Sequence, residues 1–143
     1  MNTSPAPRVL VVDDVLEVRQ VFGRFLTMAG MASSFAADGV EGLAAARASP
    51  PDLVLCDLEM PCMDGIALCA ALRADAATRR VPIVAVTGSG GPAAQAALAA
   101  GCDVVLPKPC SGSLLMATIR DLLDRTAVTR AAATTRLPPD EPR

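Results

Sequence analysis

The chain has 143 residues, a length that fits one domain, and carries 15 acidic against 13 basic residues for a formal charge of −2. It contains no histidine, tryptophan or tyrosine, and Lys108 is its only lysine. Without histidine it cannot build a Ser-His-Asp or Cys-His nucleophilic site, a histidine-ligated metal centre or a phosphohistidine of its own, so any such imidazole must come from a partner. The acidic balance, with no basic stripe interleaved with aromatics, argues against direct nucleic-acid binding. Hydrophobic residues make up 52% of the chain, enough for a core, although much of that share is alanine, which buries little area. Five cysteines (Cys56, Cys62, Cys69, Cys102 and Cys110) lack Cys-x-x-Cys spacing and are expected to be reduced, mostly buried thiols.

Arg8 to Val12 reads as a strand that stops at Asp13-Asp14, and Val15, Val18, Phe22, Phe25 and Leu26 recur at helical spacing up to Gly30. Ser33 to Ala37 is a weaker strand, followed by a helix from Gly39 to Ala48 that Pro50-Pro51 closes. Leu53 to Cys56 is a continuous apolar run, a strand buried on both faces, ending at Asp57. A loop, Leu58 to Gly65, leads into a helix reaching Arg73. Pro82 to Val86 is the fourth strand, Pro92 to Ala100 the fourth helix with Gly101 closing it, Val104 to Leu106 the fifth strand and Ser113 to Arg125 the fifth helix. The uncharged stretch Val81 to Cys102 could span a bilayer on length alone, but Thr87-Gly88-Ser89-Gly90-Gly91-Pro92 at its centre makes it strand, loop and helix, so no membrane insertion is expected. Met1 to Pro7 has no signal-peptide pattern, and a cytoplasmic location is expected.

Five apolar strands alternating with five helices imply an α/β fold with a parallel sheet covered on both faces by right-handed crossovers. Residues 1–7 form a short leader, 8–126 the domain, and 127–143 an Ala/Thr/Pro tail expected to be flexible, with no output domain following. In an open sheet of this class ligands bind at the carboxyl ends of the strands. The residues standing there are Asp13 and Asp14, Asp57, Thr87 and Lys108, which places three carboxylates, a hydroxyl and the only ammonium on one edge. Each residue alone could be a helix cap or strand end; the five together point to a site. Three crowded acids repel one another, so one of them should have a raised pKa unless a cation is present. Oxygen-only donors suit Mg²⁺, with Mn²⁺ as substitute. A carboxylate beside such an ion can attack an activated phosphoryl group, and lysine can neutralise that group's oxygens.

Val-Val-Asp13-Asp14, the block Asp57-Leu58-Glu59-Met60-Pro61-Cys62-Met63-Asp64-Gly65, Thr87-Gly88 and Lys108-Pro109 resemble the receiver domain of two-component response regulators, over residues 8 to 125. The resemblance, above all to the single-domain, chemotaxis-regulator type, implies a flavodoxin-like strand order of 2-1-3-4-5. It implies that Asp57 is the phosphoacceptor, that Asp14 binds the metal directly and Asp13 largely through water, and that Asp57 and the backbone carbonyl of Glu59 complete the protein ligands. Lys108 would pair with the phosphoryl oxygens, the Thr87 hydroxyl would turn toward them, aided by the Gly88 N–H, and the Lys108–Pro109 bond would be cis. Glu59 and Ser89 fall where the family tunes dephosphorylation. The implied partners are a histidine kinase or histidine phosphotransfer protein and an unknown downstream protein target, with the chain a monomer or weak dimer.

Three positions depart from the pattern. Val105 stands where an aromatic switch residue is usual, so no aromatic swing can report phosphorylation. Cys110 replaces a frequent Phe, and the fourth helix, with no charge between Thr87 and Asp103, has nothing with which to build a salt-bridged dimer. The leading expectation is a receiver that takes a phosphoryl group from a partner's phosphohistidine onto Asp57 and signals by protein contact. One alternative is a phosphorelay or hybrid-kinase receiver. A second, of another class, is an Mg-dependent phosphohydrolase with an aspartate nucleophile, but that chemistry wants an Asp where Glu59 stands and places its nucleophile after the first strand.

Overall fold

The computed structural model describes residues 5–136, with residues 129–136 described as backbone only. The elements alternate along the chain: β1 (Arg8–Val12), α1 (Leu16–Met28), β2 (Ala32–Ala36), α2 (Gly39–Ala48), β3 (Leu53–Asp57), α3 (Gly65–Ala74), β4 (Ile83–Thr87), α4 (Gly91–Ala100), β5 (Val104–Pro107) and α5 (Gly112–Arg136). The five strands are all parallel in the order β2-β1-β3-β4-β5, the flavodoxin-like arrangement.

The two-residue period of the strands divides the core into two layers. Leu10, Val12, Val54, Cys56, Ile83 and Ala85 pack with α2, α3 and α4 through Leu43, Leu68, Leu72 and Ala97. The intervening Val9, Val11, Leu53, Leu55, Val84 and Val86 face α1 and α5 through Leu26, Leu115, Ile119 and Leu122. β3 and β4 lie inside the sheet and are buried along their whole length, whereas β2, at the edge, leaves Phe35 half exposed. This explains why β3 reads as an unbroken apolar run and β2 as a weak mixture of serine and alanine.

Local signals set the helix ends. The Asp38 carboxylate accepts the Glu41 N–H and the Asp64 carboxylate accepts the Ala67 N–H, both at 2.9 Å, which caps α2 and α3. Gly101 closes α4 in the left-handed conformation with φ 114°. Arg73, at the end of α3, ties the far end of the sheet together, donating to the carbonyls of Gly101, Arg79 and Val81 and pairing with Asp103 at 2.9 Å.

α5 corrects the expectation for the carboxyl-terminal segment. It continues to Arg136, past the expected end at Arg125 and into the Ala/Thr/Pro tail that begins at 127. No glycine or proline interrupts residues 113–136, and the alanines among them are the best helix formers, so the helix persists where apolar periodicity has stopped. The rest of that tail, 137–143, and residues 1–4 of the leader lie outside the described residues.

Candidate functional site at the carboxyl edge of the sheet

Strand register assembles the site. Val12 pairs with Cys56, so the residues that follow, Asp13 and Asp57, emerge side by side. Asp57 pairs with Val86, which puts Thr87 one step beyond it, and Thr87 pairs with Pro107, which puts Lys108 one step further. The Lys108 N–H donates to the Thr87 carbonyl at 2.8 Å and fixes that last step, and the Lys108–Pro109 bond is cis.

Lys108 Nζ lies 3.3 Å from Asp57 Oδ2 and 3.7 Å from Asp13 Oδ2. Asp57 Oδ1 accepts the Glu59 N–H at 3.2 Å, and Asp13 Oδ1 accepts the Val15 N–H at 2.9 Å. Burial pushes the Asp57 carboxyl above its ordinary range, and the Asp13 charge adds to that, while the Glu59 N–H and Lys108 pull the other way. Asp57, whose side chain is almost wholly buried, is thus raised chiefly by burial, with the crowding of the acids a lesser cause.

One carboxylate oxygen each from Asp13, Asp14 and Asp57 lies within 4.8 Å of the others. Asp13 is 1% exposed, and its Oδ2 is a buried oxygen with no hydrogen-bond partner among the described residues. A buried acceptor left unpaired is costly, and an all-oxygen donor set around it suits a hard divalent cation, so the residues fit magnesium. Asp14, the other acid of the pair, is exposed.

Thr87 is 3% exposed, and its hydroxyl donates to both oxygens of Glu59, 2.7 Å to Oε2 and 3.0 Å to Oε1, while accepting the Ser89 N–H at 3.0 Å. Gly88 is exposed, and a Cβ there would meet nothing within 4 Å, so the space over Asp57's edge of the sheet is open at this point. Val105 is half-buried against the α2–α3–α4 side of the core. The β3–α3 loop is held close by Gly65, whose N–H donates to Leu58 O at 3.0 Å. A Cβ there would overlap the Asp57 carbonyl oxygen and lie 2.8 Å from Leu58 Cα.

Two participants were not read from the sequence. The Glu59 side chain carries an expected role only as a position where dephosphorylation is tuned, with no sign of its bond to Thr87, although a residue two beyond β3 stands next to the end of β4. Arg19, one turn into α1, donates to the Asp13 carbonyl at 2.6 Å and braces the loop holding both acids. Beside Lys108 an apolar groove of about 520 Å³, lined by Val18, Val21, Phe22, Val86, Pro109 and Cys110, opens between α1 and the β5–α5 loop.

The model of the response regulator receiver domain matches residues 9–120. The chain belongs to the response regulator receiver family. It is 39% identical over 121 residues to the response regulator MprA of Mycobacterium sp. strain KMS, an alignment that takes in 84% of this chain and 52% of MprA. This receiver thus spans about half the length of the curated relatives it matches. The chemotaxis response regulator CheY4 of Vibrio cholerae superposes with a TM-score of 0.77 at 32% identity, covering 82% of this chain and 98% of that one. The receiver domain of a sensor histidine kinase from Pseudomonas aeruginosa PAO1, with a magnesium ion coordinated in its active-site cleft, gives a TM-score of 0.78 at 27% identity over 83% and 98% of the two chains. The receiver is a phosphoacceptor switch rather than a classical enzyme, and among its described residues no helix is long and apolar enough to cross a membrane.

Proposed function

We propose that Asp57 accepts a phosphoryl group from a phosphohistidine on a partner histidine kinase or phosphotransfer protein, and that the unit doing so runs from residue 8 to 126. The observation that carries this reading is the Lys108 ammonium held 3.3 Å from the Asp57 carboxylate within a triad of acids. Asp57 is buried but oriented, with one oxygen on the Glu59 N–H and the other facing Lys108. A carboxylate oxygen attacks phosphorus, the O–P bond forms, the P–N bond breaks, and the leaving imidazole stays on the partner. Lys108 follows the charge onto the phosphoryl oxygens. Asp13, Asp14, Asp57 and the Glu59 carbonyl would hold the magnesium, or manganese, which supplies positive charge to the transferring group. Asp13 keeps its buried Oδ2 without a hydrogen-bond partner, and Arg19 holds the Asp13 carbonyl in place.

The apolar groove beside Lys108 offers the donor protein a surface that adjoins the reacting carboxylate. The phosphorylated state is read by a protein partner: α4 carries no charge and leaves Leu98 43% exposed, a face suited to apolar contact. A receiver that forms part of a kinase or relay is the second reading, supported by the likeness to a sensor-kinase receiver.

Acetyl phosphate with magnesium should add one base-labile phosphoryl group per chain, and Asp57→Asn should abolish it. Labelling that survives this substitution, or that proceeds equally in chelator, refutes the assignment. Phosphotransfer from each histidine kinase of the source organism then separates a terminal switch, which keeps the group, from a relay receiver, which passes it to a second phosphotransfer protein.

A further inference from the structure

We infer that the Glu59 carboxylate is a latch that holds the Thr87 hydroxyl in the resting orientation and competes for it with the acceptor that forms on Asp57. The inference rests on Asp57 being the phosphoacceptor. Thr87 Oγ1 has one proton, and both Glu59 oxygens take it, at 2.7 and 3.0 Å. The same oxygen accepts the Ser89 N–H at 3.0 Å. That single proton, already shared between the two Glu59 oxygens, cannot stay on Glu59 and also serve a phosphoryl oxygen.

Burial makes the competition conditional. Thr87 is buried, whereas Glu59 is exposed. When the bond breaks, the carboxylate recovers water, but the hydroxyl has no solvent to turn to and needs another acceptor. The hydroxyl therefore leaves Glu59 only when an acceptor is on offer nearby. The register places one there: Thr87 follows Val86, the residue paired with Asp57, so a group on Asp57 arrives next to it. A charge-assisted bond to a carboxylate is also stronger than a neutral one, which biases the unphosphorylated ensemble against spontaneous switching. Glu59 is a positioning residue, acting through Thr87 and the loop that begins at Ser89.

The test uses the full chain, its Thr87 methyl and Ser89 amide resonances, and beryllofluoride with magnesium as the phosphoryl mimic. Without the mimic, Glu59→Ala should displace both resonances toward their mimic-loaded wild-type positions, with at least a tenfold rise in the switched population, equivalent to about 1.4 kcal/mol. Glu59→Gln, which keeps an acceptor but no charge, should fall between. Resonances of both variants that stay at the wild-type resting positions, while the wild type takes one phosphoryl group from acetyl phosphate, overturn the latch and leave the phosphoacceptor reading standing. If the wild type takes none, the phosphoacceptor reading falls and the latch falls with it.

Discussion

Lys108→Met removes the ammonium and keeps most of the stem, so its effect reports the charge alone. At 3.3 and 3.7 Å from Asp57 and Asp13, Nζ interacts with each carboxylate by about 5 and about 4 kcal/mol at an effective dielectric of about 20. Desolvation of the ammonium offsets several kcal/mol of that sum, and a side chain 31% exposed is partly screened, so a net loss of about 2–3 kcal/mol is expected in chelated protein. Magnesium should shrink the loss, because the variant's triad, stripped of its counter-charge, binds a divalent cation more tightly and gains more from it. Urea unfolding followed by circular dichroism, with chelator and with saturating magnesium, gives both stabilities. Magnesium titration closes the cycle, since the difference between the two losses must equal the difference in binding free energy. A loss below about 0.5 kcal/mol in chelator, the scale of an inconsequential surface change, would refute the claim that Lys108 balances the acids. So would weaker magnesium binding by the variant.

Asp57→Asn should raise the melting temperature of chelated protein at neutral pH by a few degrees. Burial raises the Asp57 pKa above its unfolded value of 3.8, so the folded state binds the proton more tightly and stability falls as pH rises through the window between the two values. The gain should vanish below the unfolded pKa, and a pH-independent gain would contradict the origin given. Gly65→Ala forces a Cβ into the Asp57 carbonyl and against Leu58, backbone atoms that cannot swing away. It should cost about 3 kcal/mol or more in denaturant unfolding and lower phosphoryl uptake, and a near-neutral variant would show that the β3–α3 loop is not held by this contact. Thiol reagents should modify Cys62 fastest, because it alone among the five is exposed. Cys69, pulled down by its hydrogen bond with Cys102 but pushed up to about 12 by its bond with Cys56 and by burial, should react only on unfolding, and burial also holds the Cys110 thiol up. Rapid labelling of Cys69 in native protein, mapped by mass spectrometry, would contradict its burial.

The sheet was legible because buried parallel strands write themselves as apolar runs ending in polar residues. The runs leading to Asp13, Asp57, Thr87 and Lys108 mark the strand ends in the sequence, and the parallel register brings those ends together. What escaped was of two kinds. Side chains that reach across the site carry no periodic signal: nothing in Asp57-Leu58-Glu59 says that the Glu59 carboxylate turns to Thr87, and nothing in Val18-Arg19 says that the guanidinium returns to the Asp13 carbonyl. The end of α5 escaped for the opposite reason. Helix propensity without apolar periodicity looks like a tail, yet the alanines after Thr126 keep the backbone helical as far as Arg136.

The lone lysine and the acids make one charge argument. Three carboxylates against one ammonium leave the resting cleft with two surplus negative charges, the charge that a single divalent cation neutralises. A phosphoryl group on Asp57 exchanges one carboxylate charge for up to two, spread over three strong acceptor oxygens. Lys108 already faces Asp57 Oδ2 and can follow that charge, but Asp13 and Asp14 can only oppose it. Thr87 is an uncharged donor side chain at the strand ends that can answer the new oxygens, and in the resting state its proton is committed to Glu59. On the proposed reading, a phosphoryl group on Asp57 competes with the Glu59 carboxylate for a single buried hydroxyl proton.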